Sequence, residues 1–74
     1  MSKIFIECWD DLHTYITEHD TLNKEQQQAY IRNALHEFCN SWGVMPSGCK
    51  YKTDSRQDWK KINIDNYLYR KEER

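Results

Sequence analysis

Apolar positions between residues 24 and 42 recur at intervals of three and four: Ile31, Ala34, Leu35, Phe38, Cys39 and Trp42. On a helix of about 3.6 residues per turn that spacing gathers them into one stripe, so the stretch predicts an amphipathic helix. Its ends carry matching signals. Asn23 has the short polar side chain of an N-cap, and Gln26 stands three residues on, where a capping box needs an amide. Glu25 lies at the positive end of the helix dipole, and Gly43 stands where a left-handed residue ends a helix. Gln27, Arg32, Asn33, Glu37 and Asn40 form the opposite, solvated face.

Upstream, Phe5, Cys8, Trp9, Leu12 and Ile16 follow the same spacing, which predicts a second helix over residues 3–19 with Ser2 as its cap. A competing pattern runs through the same residues, because Ile4, Phe5 and Ile6 favour strands. Residues 3–8 then form a short strand and the helix starts at Asp10. Residues 20–23 form a turn in either case. After Gly43 the Pro and Gly of residues 44–48 predict a loop. Beyond it Cys49, Tyr51 and Thr53 alternate with Lys50 and Lys52, and Ile62 and Ile64 alternate with Lys61, Asn63 and Asp65. Period-two alternation predicts strands over residues 49–53 and 60–69, with Ser55–Asp58 as an alternative cap for a short helix through Ile62.

The expected fold is therefore a small single α+β domain over residues 1–74: two antiparallel amphipathic helices and a short C-terminal β element. An all-α three-helix arrangement is the alternative. The expected core is Phe5, Trp9, Leu12, Ile31, Leu35, Phe38 and Trp42, and the all-charged residues 70–74 are expected to fray.

Size and composition narrow the function. A chain of 74 residues buries only roughly 60% of its unfolded surface, so a partner or a second copy would add stability. Only 38% of the residues are apolar and the mean hydropathy is -1.07, but three Trp, five Tyr and two Phe supply large packing units. No apolar run approaches the roughly 18 residues of a membrane span, and the first residues are not a secretory signal. Three cysteines, Cys8, Cys39 and Cys49, then fit reduced thiols in the cytoplasm, with a Cys39–Cys49 bridge as the pairing a turn would permit.

A zinc site would draw on Cys8, His36, Cys39 and Cys49, with His13 in reserve, but there is no paired Cys-x2-Cys knuckle, and core packing explains the thiols. His36 with Cys39 as a nucleophile pair lacks an orienting third group, so no enzyme and no cofactor are expected. Asp10 and Asp11, with Glu7 and Glu18, read as solvated acids and not as a calcium loop. A helix-turn-helix built on residues 24–42 would offer only Lys24 and Arg32 as permanent cations, too few for a phosphate-dense duplex.

Charge is what remains. Residues 1–48 hold three Lys or Arg against seven Asp or Glu, whereas residues 49–74 hold eight against five. Within that basic part Lys50, Lys52, Arg56, Lys60 and Lys61 interleave with Tyr51 and Trp59, and Tyr67 and Tyr69 follow. Aromatic anchors beside cations suit either a protein partner with an acidic surface or a single-stranded nucleic acid. The expected function is that of a small protein-binding regulator or inhibitor, with nucleic-acid binding through residues 50–61 as the alternative and homodimer formation as a further one. The short, Asn-, Lys- and aromatic-rich composition resembles that of small phage and mobile-element proteins, which implies a host macromolecular machine as target.

Overall fold

The computed structural model of the chain describes residues 2–64 and 67. Two eight-residue strands come first, β1 (Ser2–Trp9) and β2 (Thr14–Thr21). They are followed by α1 (Lys24–Trp42), then β3 (Gly48–Lys52) and the two-residue β4 (Lys60–Lys61). All pairings are antiparallel and the strand order is β2-β1-β3-β4. Among the described residues α1 is the helix that lies across one face of this sheet.

This corrects the expectation of two helices, and equally that of three. Residues 3–19 are a hairpin, not a helix. The three-and-four spacing of Phe5, Cys8, Trp9, Leu12 and Ile16 coexists with strict alternation in burial: Ile4, Ile6 and Cys8 are fully buried, while Phe5, Glu7 and Trp9 between them are half-buried. Both faces of β1 carry apolar groups, which disguises the period of two. β-Branched residues decide the conformation, with Ile4 and Ile6 in β1 and Thr14, Ile16, Thr17 and Thr21 in β2. The turn is built by Asp10, whose Oδ1 accepts the backbone N–H groups of Leu12 at 2.8 Å and His13 at 2.7 Å. Burial works against the Asp10 charge, but these N–H groups and the His13 ring outweigh it and hold the carboxyl below its ordinary range.

The helix matches its sequence signals. Asn23 Oδ1 accepts from the Gln26 N–H at 2.9 Å, and Gln26 Oε1 in turn accepts from the Leu22 N–H at 2.8 Å. At the other end Gly43 adopts φ 72°, and its N–H bonds the Cys39 carbonyl. That left-handed conformation favours a residue without Cβ.

Side chains directly opposite in an antiparallel pair share a face, so the register assigns the core. Ile4, Ile6 and Cys8 of β1 and Cys49 of β3 meet Ile31, Ala34, Leu35 and Phe38 of α1. Fully burying each of the larger of these side chains contributes roughly 1.5–3 kcal/mol. Two ring stacks fasten the hairpin to the helix: His13 on Trp42, centroids 4.0 Å apart, and His19 on Tyr30 at 4.6 Å. The expected core shifts accordingly. Phe5 and Trp9 lie on the other sheet face, Leu12 sits on the hairpin turn at 85% exposure, and Trp42 remains 42% exposed at the end of α1.

The C-terminal part also differs from expectation. Strand pairing at residues 60–61 excludes the alternative helix through Ile62. The expected second strand is confined to Lys60–Lys61 among the described residues. Ile62 continues beside β3 through its N–H bond to the Cys49 carbonyl, and Ile62, Ile64 and Tyr67 pack against the core. Burial pushes the Tyr67 phenol above its ordinary value. Tyr69 and residues 70–74 lie outside the described residues.

Candidate functional site

The helix covers one face of the sheet and leaves the other without a covering element among the described residues. Alternation along β1 directs Lys3, Phe5, Glu7 and Trp9 to this open face. Their cross-strand partners follow by register: Thr14, Ile16, Glu18 and Asp20 of β2, and Gly48, Lys50 and Lys52 of β3. Lys61 of β4 is paired with Lys50 and joins them. Trp59, one residue before β4, folds back over the same lysines.

Aromatic rings and ammonium groups interleave at its centre. Lys50 Nζ lies 5.5 Å from the centre of the Trp9 ring and 5.2 Å from that of Trp59. Lys52 Nζ lies 5.9 Å from the Phe5 ring centre and 4.5 Å from Trp59. Each such contact contributes roughly 0.5–1 kcal/mol where water still reaches the pair. The two lysines are also fixed by oxygen acceptors: Glu7 Oε1 at 3.4 Å from Lys50 Nζ, and the Ser55 carbonyl at 3.2 Å from Lys52 Nζ. Two-sided restraint of this kind pre-organises long side chains that would otherwise lose rotamer freedom on binding a partner.

Charge varies across the face. At the β2 side, Lys3 bridges Glu18 at 2.8 Å and Asp20 at 3.5 Å, and these acids raise the Lys3 ammonium above its ordinary value. At the β3 and β4 side the basic groups dominate, with Lys52 and Lys61 on the sheet and Arg56 exposed in the preceding turn. The division seen along the sequence is thus a division across one surface: acidic at the β2 edge, basic at the β4 edge.

A cavity of about 670 Å³ adjoins this face at the end of β3. Trp9, Met45, Gly48, Cys49, Lys61 and Ile62 contribute to its wall. Gly48 is required there, because the Trp9 indole lies against its Cα so closely that a Cβ would overlap the ring.

Of the residues expected from the sequence to bind a partner, Lys50, Lys52, Trp59 and Lys61 come together on the open face. Tyr51 does not, since it lies on the helix side and packs against the core. Lys60 pairs with Tyr51 and is exposed at the β4 edge, away from the aromatic cluster. Arg56 is 91% exposed and reaches Asp54, at 3.9 Å. Tyr67 belongs to the core margin. Phe5 and Trp9, expected in the core, are the additions; their alternation with Ile4, Ile6 and Cys8 is the signal for the second face.

Of the other chemical candidates, Cys8 and Cys49 face each other in the core while Cys39 and His36 stand on the helix. Cys8, Cys39 and Cys49 are free thiols, and His36 is exposed on α1. No group of three His, Cys, Asp or Glu side chains among the described residues is arranged to hold a metal ion. No helix among them is long and apolar enough to cross a membrane. No family model, no curated protein and no solved structure matches the chain.

Proposed function

We propose that the chain is a small non-enzymatic binding module that engages a protein partner through the open face of its sheet, acting as a regulator or inhibitor by occupying the partner's surface. The observation that carries this reading is the interleaving of Phe5, Trp9 and Trp59 with Lys50 and Lys52 on the sheet face opposite the helix. Aromatic anchors on rigid strands are the groups that concentrate binding energy at protein interfaces. Charge favours a protein over a polyanion. Glu7 sits amid the cluster, and Glu18 and Asp20, with Lys3 between them, form one corner, so a continuous phosphate track would meet acidic groups there. A protein surface with an acidic patch opposite β3 and β4, and a basic one opposite β2, complements both halves.

The decisive experiment compares wild-type protein with a Phe5→Ala/Trp59→Ala/Lys52→Ala variant. Both are immobilised and exposed to extract of the native host, and bound proteins are then tested individually with purified components. A partner held by the wild type in the nanomolar to micromolar range and lost by at least tenfold in the variant, whose circular dichroism is unchanged, meets the expectation. A parallel salt titration with single-stranded DNA and RNA addresses the competing class. Tight binding with a steep salt slope, abolished by Lys50→Ala/Lys52→Ala, would replace the protein reading.

A further inference from the structure

Cys8 and Cys49 stand directly opposite each other in the β1–β3 register, with their Sγ atoms 3.0 Å apart and both side chains in the core. Directly opposed residues of antiparallel strands have Cα atoms about 4.5–5.5 Å apart, inside the window of about 4.4–6.8 Å that a disulfide spans. Closing the pair needs the sulfurs to approach by roughly 1 Å, to a bond of about 2.05 Å. We propose that Cys8 and Cys49 form a reversible dithiol–disulfide site, a redox lock joining β1 to β3. It is independent of any partner, although the two strands it would tie are those that carry Trp9, Lys50 and Lys52.

The oxidant is a low-molecular-weight disulfide of the glutathione class. Cys49 lines the cavity beside Trp9 and Met45 whereas Cys8 is fully buried, so of the pair Cys49 is the thiol an outside reagent meets. Cys49 gives up its proton and attacks one sulfur of the oxidant, whose S–S bond breaks. One thiolate leaves, takes up that proton, and a mixed disulfide remains on Cys49. Cys8 then loses its proton, attacks the Cys49 sulfur and expels the second thiolate, which is protonated in turn. Two protein thiols are oxidised and one disulfide is reduced to two thiols, so atoms and electrons balance. The hydrogen bond with Cys8, with burial added, holds the Cys49 thiol well above its ordinary value. Few thiolates form at neutral pH, and closure is correspondingly slow, over minutes to hours. Cys39, half-buried on α1 with its own thiol raised by burial and then by Cys8, lies on the helix and not opposite a cysteine in the sheet register, so it is not placed to close this bridge.

The full chain is equilibrated in buffers of graded reduced-to-oxidised glutathione ratio, quenched with acid, denatured, alkylated and mapped by mass spectrometry. The expected product has lost two hydrogens, links the Cys8 and Cys49 peptides, and carries alkylated Cys39. The bridge joins residues 41 apart, so the thermal midpoint should rise by roughly 10–25 °C and fall back on addition of dithiothreitol. Cys39→Ala must retain both the linkage and the shift, and it decides the matter even where Cys8→Ala or Cys49→Ala fails to fold. Three alkylated thiols in the most oxidising buffer, a bridge through Cys39, or a persistent glutathione adduct on Cys49 would each overturn the proposal.

Discussion

Gly48→Ala tests how tightly the fold and the open face are coupled. A Cβ at Gly48 would overlap Cζ2 and Cε2 of the Trp9 indole and lie 3.0 Å from Cη2. The ring must therefore swing away, since the opposed backbone is pinned by the sheet. Overpacking of this kind typically costs about 1–3 kcal/mol. Displacing Trp9 also removes its contact with Lys50, a further loss of roughly 0.5–1 kcal/mol. Against this, alanine is better than glycine within a strand by roughly 0.5–1 kcal/mol. The net destabilisation is about 1–3 kcal/mol, or a fall in thermal midpoint of roughly 5–20 °C for a domain of this size. The assay is thermal unfolding followed by circular dichroism and Trp fluorescence, in the wild type and in a Trp9→Ala background. With the indole absent, the same Gly48→Ala change should be neutral or slightly stabilising. An equal loss in both backgrounds would refute the role assigned to Trp9, as would the absence of any loss in the wild type.

Phe38 is fully buried at the centre of the core, and Phe38→Ala should cost about 3–5 kcal/mol, enough to abolish cooperative thermal unfolding in so small a domain. Asn23→Ala removes the acceptor for the Gln26 N–H and should lower stability by about 1 kcal/mol, read from urea midpoints at unchanged m-value. Asp10 titrates below its ordinary value when folded, so the stability it contributes is present above the ordinary carboxylate range and is lost as pH falls through the folded value. Asp10→Asn keeps the turn's acceptor oxygen but not the charge. It should lower the thermal midpoint at neutral pH and leave that of the two proteins converging at acid pH; parallel curves would contradict the assignment. Lys52→Ala should free the Trp59 ring, seen as a red-shifted, more readily quenched Trp emission, with stability changed by less than about 1 kcal/mol.

Legibility in the sequence followed the number of faces each element buries. The helix buries one stripe, so Ile31, Ala34, Leu35 and Phe38 stand out against a polar background, and local groups mark both its ends. Residues 49–52 could likewise be read as a strand, because lysines alternate with Cys49 and Tyr51. The hairpin could be read only in part: Ile4, Phe5 and Ile6 point to a strand over residues 3–8, which β1 contains, but that signal competes with a helical one because β1 carries Ile4, Ile6 and Cys8 on one side and Phe5 and Trp9 on the other. A strand apolar on both sides has no net period of two, and its residues fall by chance on helical spacing. The same ambiguity sent Phe5 and Trp9 to the core and left the candidate site with half its aromatic groups. Charge and aromatic interleaving alone point to Lys50, Lys52 and Trp59, but they point equally to Tyr51 and Lys60, because linear proximity does not distinguish two sheet faces.

By itself the sequence determined α1 and its caps, the strand at β3, and the concentration of positive charge after residue 49. These depend on interactions within a few residues: side chain to backbone at Asn23 and Gly43, and side-chain period along each segment. The tertiary structure decided that residues 2–21 are a hairpin, and that β1 lies between β2 and β3. It also decided that Cys8 faces Cys49 and that Phe5 and Trp9 join Lys50 and Lys52 opposite the helix. Each of these depends on pairing across as many as 47 residues, as between Phe5 and Lys52. Such contacts form only when hydrogen-bonded registers and the burial of Ile4, Ile6 and Phe38 are satisfied together, a condition that no local window of the chain contains.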